Sequence, residues 1–355
     1  MSAALTAALE ASTLADTDPS GRLADACDLS NQLRDALWRV ESAGIAPFDA
    51  PGGLIVAGMG GAGIGGALAA AALGDRSSRP IGCARAYELP AWATPDTAVL
   101  CASYSGETEE TLACFEAATA LGAPRIVATT GGRLADAARA EGVPVIPLPA
   151  GFTPSGAVAY MTVAALEAAA LSGAAPRVHS EIDVAAAHAE ALVEDWGPAA
   201  GEDSLGKRLA AGLHETIPVI MGAGPTTVVA RRWKTQINEH AKTPAFWGEL
   251  PEVDHNELAG WAAAPGLGRF SAVFLDDTDL HPRVRRRIEA TRALIEASAD
   301  TTFVVPPRGE SRTERVFSMV LLGDLVSLYL AALRGVDPAD AGALHGLEAR
   351  LAQSD

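Results

Sequence analysis

Hydrophobic positions change their spacing near Gly53, and the change divides the chain. Before it, Leu29, Leu33, Leu37 and Val40 recur at intervals of three and four, which predicts an amphipathic helix within a helical lead-in over residues 1–52. After it, short apolar runs alternate with longer amphipathic stretches. The runs are Leu54 to Ala57, Ile81 to Ala84, Ala98 to Ala102, Arg125 to Ala128 and Val143 to Leu148, and Tyr160 to Leu171 reads as an apolar helix closing the unit. Strands separated by helix-length segments predict a parallel sheet in a doubly wound α/β lobe, residues 53–175.

A polar, alanine-rich helical stretch from about Pro176 to Glu215, broken at Trp196-Gly197-Pro198, is expected to link this lobe to a second one, residues 216–355. There the strand-then-glycine pattern returns at Ile217 to Gly224, with further strands at Phe270 to Leu275 and Thr301 to Val305. The second lobe therefore reads as a repeat of the first, again a parallel sheet flanked by helices. Its long helix, Arg312 to Arg334, is apolar on most faces, as expected of one buried between lobes.

A length of 355 residues suits two such domains. Lysine plus arginine number 27 against 44 Asp plus Glu, a formal net charge of −17, which disfavours nucleic acid and anionic membranes as partners. No run reaches the roughly 18 consecutive apolar residues of a membrane span. Met1 to Leu14 lacks a basic n-region and carries Glu10, which argues against a secretory signal, so a soluble cytoplasmic protein with reduced thiols is expected. Cys27, Cys83, Cys101 and Cys114 form no CxxC pair, and the histidines are scattered without ligand spacing, so no metal site is expected. Arg283, Arg285, Arg286 and Arg287, at a predicted helix start, are expected to form a solvated face.

Two loops carry candidate chemistry. Gly58-Met59-Gly60-Gly61-Ala62-Gly63-Ile64-Gly65-Gly66 follows a strand and opens a helix. Gly58, Gly60 and Gly63 formally satisfy the dinucleotide fingerprint, but a glycine run this dense contains it by default. The fingerprint also wants an acidic residue after the next strand, and Arg79 to Arg85 is followed by no carboxylate before Glu88. A tight packing turn is the simpler reading, and no cofactor is expected. The second loop, Ser103-Tyr104-Ser105-Gly106-Glu107-Thr108, again joins a strand end to a helix start. Ser103, Ser105 and Thr108 set three hydroxyls beside the free N–H groups of a helix N-terminus, a small anion site built without lysine or arginine. Capping alone would need one of them. The negative net charge thus excludes long polyanions and leaves room for a single phosphate.

A strand ending in Gly-Met-Gly-Gly-x-Gly and a later one ending in Ser-Tyr-Ser-Gly-x-Thr-x-Glu resemble a sugar isomerase (SIS) domain, and the second lobe resembles a degenerate copy. Over nearly its full length the chain resembles the bifunctional phosphoglucose/phosphomannose isomerases. The second-lobe match rests on Asn238-Glu239-His240-Ala241-Lys242, on Asp254-His255-Asn256-Glu257-Leu258, and on Tyr329-Leu330-Ala331 with Gly335-Val336-Asp337-Pro338. This resemblance implies a phosphorylated hexose as substrate and an enediol route between glucose or mannose 6-phosphate and fructose 6-phosphate. It also implies a homodimer with the site shared between subunits. Glu239 would be the base, and His255 the ring-opening acid/base, reaching a neighbouring subunit's site. Gly61, Ser103, Ser105 and Thr108 would hold the phosphate, with Gly60 and Ser155 beside the substrate. From the residues alone, Glu239 also reads as a helix-face carboxylate paired with Lys242 at i,i+3, and His255 as a polar loop histidine.

Three positions depart from the family pattern. Ala62 stands where a serine is usual, Ser155 where an arginine follows the proline, and Glu348 where a lysine falls in the last helix. The chain has only three lysines, Lys207, Lys234 and Lys242. A lost charge-assisted contact costs roughly 1.5–3 kcal/mol. A sugar-phosphate sensor with reduced turnover, or an isomerase of another phosphosugar, is therefore the alternative reading.

Overall fold

The computed structural model describes residues 3–351. Among these residues nine strands form two separate parallel sheets. In the first lobe β1 (Leu54–Ala57), β2 (Ile81–Ala84), β3 (Ala98–Ala102), β4 (Arg125–Thr129) and β5 (Val145–Pro147) lie in the order β2-β1-β3-β4-β5. In the second, β6 (Ile217–Ala223), β7 (Phe246–Leu250), β8 (Phe270–Leu275) and β9 (Thr301–Val305) lie in the order β7-β6-β8-β9. Matching the two orders puts β6 in the role of β1, β7 of β2, β8 of β3 and β9 of β4. The fold is α/β with two parallel sheets flanked by helices.

The central strands formed where uninterrupted apolar runs predict them. β1 and β3 are buried along their whole length and pair in register from Leu54 with Ala98 to Ala57 with Cys101. A parallel strand covered on both faces has no reason to alternate, so it reads as a run. β7 is the strand that the apolar-run criterion passed over. It is an edge strand that exposes Phe246, Trp247 and Glu249 and buries Gly248 and Leu250, so it lacks the run that marks a central strand.

Each lobe is closed by an apolar helix following its last strand: Val158–Leu171 in the first, Arg312–Arg334 in the second. The second of these is long and apolar enough to cross a membrane by composition, yet its most apolar window is 89% buried inside the protein. It packs against Thr226–Ala241, and Gly323 permits the contact, since a Cβ there would lie 2.2 Å from the Trp233 indole nitrogen. That indole donates instead to the Met319 carbonyl at 2.8 Å. Of the lead-in, Leu29–Ser42 buries Leu29, Leu33, Leu37 and Val40 against Val158–Leu171 and His179–Trp196. His179–Trp196 in turn packs on Arg312–Arg334, so the helical segments are part of the core between the sheets.

One surface expectation is corrected. The arginine run lies on the helix Pro282–Ile295, where Arg283 and Arg286 are exposed, but Arg285 and Arg287 are not simply solvated. Arg285 donates to the Asp277 carbonyl at 2.6 Å, and Arg287 pairs with Asp254 at 2.9 Å. Two positions apart, they project to different sides of the helix and reach different loops, Asp277 after β8 and Asp254 after β7.

Candidate active site

Three loops of the first lobe converge at the carboxyl edge of its sheet. The serine loop leaves β3, and Ser103, at 2% exposure, is its anchor. The Ser103 hydroxyl accepts the Gly106 N–H at 3.0 Å and shares a hydrogen bond with the Thr108 hydroxyl at 2.8 Å. Ser105 Oγ accepts the Glu107 N–H at 3.2 Å. Gly106 has φ +73°, and a Cβ there would stand 1.8 Å from the Gly131 carbonyl oxygen, so only glycine closes this turn. Thr108 occupies the N-cap position of Glu109–Leu121, yet its side chain makes no capping bond. Its hydroxyl is spent on Ser103, which leaves the first-turn amides of that helix without a side-chain cap. On the rim, hydrogen bonds from Arg133 hold the Glu107 carboxyl below the usual carboxylate range.

The glycine loop leaves the neighbouring β1 and opens the helix Gly60–Leu73. Gly61 is pressed against the third loop: a Cβ there would lie 2.0 Å from the Pro154 carbonyl oxygen. Gly60 has φ +49° and open space on its Cβ side. Ser155 lies in that third loop, its hydroxyl 3.4 Å from Thr153 Oγ1. Tyr104 ties the serine loop to the same segment, donating its hydroxyl to the Pro149 carbonyl and accepting the Phe152 N–H, both at 2.9 Å. The structure therefore brings Gly60, Gly61, Ser103, Ser105, Thr108 and Ser155 to one edge of the sheet.

Glu239 and His255 are on the second lobe. Both are exposed, and among the described residues neither side chain makes a hydrogen bond or ion pair within the chain, so nothing joins them to the first-lobe loops. The i,i+3 pairing with Lys242 does not form. Lys242, at φ +51°, caps the helix Thr226–Ala241 by donating its ammonium to the Glu239 carbonyl oxygen and to Pro338 at 3.2 Å. The carboxylate is left free. His255 ends a short 3₁₀ turn, Glu252–His255, whose neighbour Asp254 is fastened by Arg287 at 2.9 Å and Thr291 at 2.6 Å. Beside Glu239, His240 is buried with Nδ1 2.8 Å from the Ser327 hydroxyl, and burial, reinforced by the Arg232 and Lys242 charges, pushes its pKa down to about 3.

Two residues escaped the sequence reading. Tyr104 was visible only as a spacer within the serine motif. Arg232, 1% exposed, donates to the Ser155 carbonyl at 3.1 Å while holding Asp324 with two bonds of 3.1 and 2.7 Å. A guanidinium thus reaches the loop where the resemblance leads one to expect an arginine and the chain has Ser155. It sits two helical turns before Glu239 on the same helix, and that i,i+7 spacing is the one signal that could have linked them. Burial raises the Asp324 carboxyl even beside Arg232. Glu348, the third departure, has a side chain outside the described residues. Burial raises all four thiols, Cys27 up to about 11, so none is poised as a thiolate.

Residues 202–351 match the family model of the bacterial phospho-glucose isomerase C-terminal SIS domain. A bifunctional phosphoglucose/phosphomannose isomerase from Caldicellulosiruptor bescii is 37% identical over 84% of this chain and 89% of its own length. One of the same description from Aquifex aeolicus is 32% identical over 85% of this chain and 90% of its own. A solved hypothetical protein from Thermus thermophilus shares the fold, with a TM-score of 0.70 at 17% identity over 94% of this chain and 91% of that one. Such identity across both lobes, from the glycine loop to the segment carrying Glu239 and His255, makes this chain a member of the bifunctional phosphoglucose/phosphomannose isomerase family.

Proposed function

We propose that the protein is an aldose–ketose isomerase interconverting glucose 6-phosphate, mannose 6-phosphate or both with fructose 6-phosphate. The phosphate sits on the serine loop, held by Ser103, Ser105 and Thr108 with the backbone at Gly61, and the positive end of Glu109–Leu121 favours its charge. His255, serving a neighbouring subunit's site in a homodimer, delivers a proton to the ring oxygen as the bond to C1 breaks and the O1 hydroxyl loses its own. Glu239 then takes the C2 proton, forming the enediolate, and returns it to C1 as the O2 hydroxyl proton passes to O1.

The observation that carries this reading is the free Glu239 carboxylate. A helix-end acid whose nearest lysine is diverted to backbone carbonyls is available as a base. The exposed, unbonded His255 ring supports its use at another subunit. The charge of Arg232 at Ser155 is shared with Asp324, and this favours the sensor as the second reading. A coupled assay on fructose 6-phosphate, paired with calorimetric binding, separates the two. Turnover that falls by about 10²–10⁴ in Glu239→Gln supports the isomerase. Binding without turnover selects the sensor, and turnover indifferent to Glu239→Gln overturns the assignment of the base.

A further inference from the structure

The two lobes also meet along a cleft of about 460 Å³ that lies apart from the serine loop. It falls within the range of small-molecule sites, roughly 300–1,000 Å³. Three arginines line it. Arg312 is already held by Asp75 and Asp279. Arg85, just beyond β2 on the first lobe, donates among the described residues only to the Gly63 carbonyl oxygen, at 2.9 Å. Arg231, on the second-lobe helix Thr226–Ala241, has no hydrogen bond or ion pair among the described residues. Burial and the Arg85 charge together lower its pKa, so the two cations feel one another across the cleft. In a chain carrying 44 acidic residues, two partly buried arginines without a carboxylate partner are a local excess of positive charge.

Two further features favour an anion there. The helix Thr226–Ala241 presents its N-terminal end to the cleft, the positive end of its dipole. Thr227 lines the cleft, and its hydroxyl is buried with no partner, an arrangement that costs free energy until something bonds it. On the opposite wall β7 contributes Trp247, an apolar surface, and Glu249, which pairs with neither arginine and can accept from a hydroxyl. We propose that this cleft is a second anion site, for a phosphorylated small molecule of two or more negative charges, gripped between Arg85 of one lobe and Arg231 of the other. Its uncharged body lies against Trp247. Because the grip spans both lobes, the ligand braces them.

Calorimetry on the full chain at low ionic strength, with inorganic pyrophosphate as the probe, tests this. The wild type should bind, with a rise in thermal midpoint, and that binding should survive Ser103→Ala in the serine loop. Arg231→Gln should raise the dissociation constant about tenfold or more, and Thr227→Val by several-fold. Arg231 contacts nothing that its loss would orphan, so the ligand-free midpoint should hold. If Arg231→Gln fails to fold, Thr227→Val carries the test alone. Wild-type-like binding in these variants overturns the proposal, as does binding that disappears with Ser103→Ala. So does a wild type that binds no pyrophosphate because a second copy of the chain covers the cleft.

Discussion

The loops that follow β3 and β8 occupy the same place in the two sheets and are built from opposite chemistry. After β3 the chain offers Ser103, Ser105 and Thr108, hydroxyls with no formal charge, of which Ser103 and Thr108 bond each other at 2.8 Å while Ser103 and Ser105 accept backbone N–H groups at 3.0 and 3.2 Å. After β8 it offers Asp276, Asp277 and Asp279, and each is met by an arginine. Arg285 reaches Asp276 at 3.4 Å, and Arg315 bonds Asp277 at 3.1 Å and Asp279 at 2.6 Å. Arg312 adds a second contact to Asp279. The first loop leaves the first-turn amides of Glu109–Leu121 without a side-chain cap, whereas the second neutralises its own charges internally. Two lobes can thus share a strand order while the corresponding loop in one of them is a structural clamp, here joining β8 to the start of Arg312–Arg334.

The comparison breaks most visibly at Arg315. Asp277 and Arg315 are 2% and 6% exposed, so Arg315→Met leaves a buried carboxylate uncompensated and should cost about 3–5 kcal/mol in denaturant unfolding. Its Michaelis constant for the sugar phosphate should stay near that of the wild type. A loss below about 1 kcal/mol would mean the clamp is not structural. Ser103→Ala tests the other loop. It leaves the buried Gly106 N–H without its acceptor, so about 1–3 kcal/mol of stability should go, together with a clear weakening of sugar-phosphate binding. If binding is untouched, the hydroxyl loop is only a turn.

A third effect, spread over several pH units, concerns His240. His240 has a folded pKa of about 3, below its ordinary 6.5, so the unfolded chain takes up the proton first. Its contribution is fully present above pH 6.5 and is lost as pH falls toward 3, at up to about 1.4 kcal/mol per pH unit. Unfolding curves of wild type and His240→Gln across that window should converge with acid. Parallel curves would show that the second-lobe helix carries no such sensitivity.

How far the site could be read from residues alone depended on whether its parts are neighbours in the chain. Ser103 and Thr108 are five positions apart, and their hydroxyl-rich loop was legible as one unit. Arg232 and Ser155 are 77 apart, Arg315 and Asp277 38 apart, and neither pairing leaves a local mark. The expected Glu239–Lys242 pair was local and still did not form, because the helix C-terminus competes for the ammonium with its free carbonyls.

What the sequence by itself determined is the two-lobed α/β plan, its central strands, and the serine and glycine loops. Each follows from periodicity or from residue types within a few positions, the range over which backbone preference acts. The tertiary structure alone decided where the charges go: Arg232 to the Ser155 loop, three arginines onto the β8 aspartates, and Arg85 and Arg231 into an interlobe cleft without a carboxylate partner. Coulombic partners are chosen by distance in space, and only the packing of both lobes around Arg312–Arg334 sets those distances.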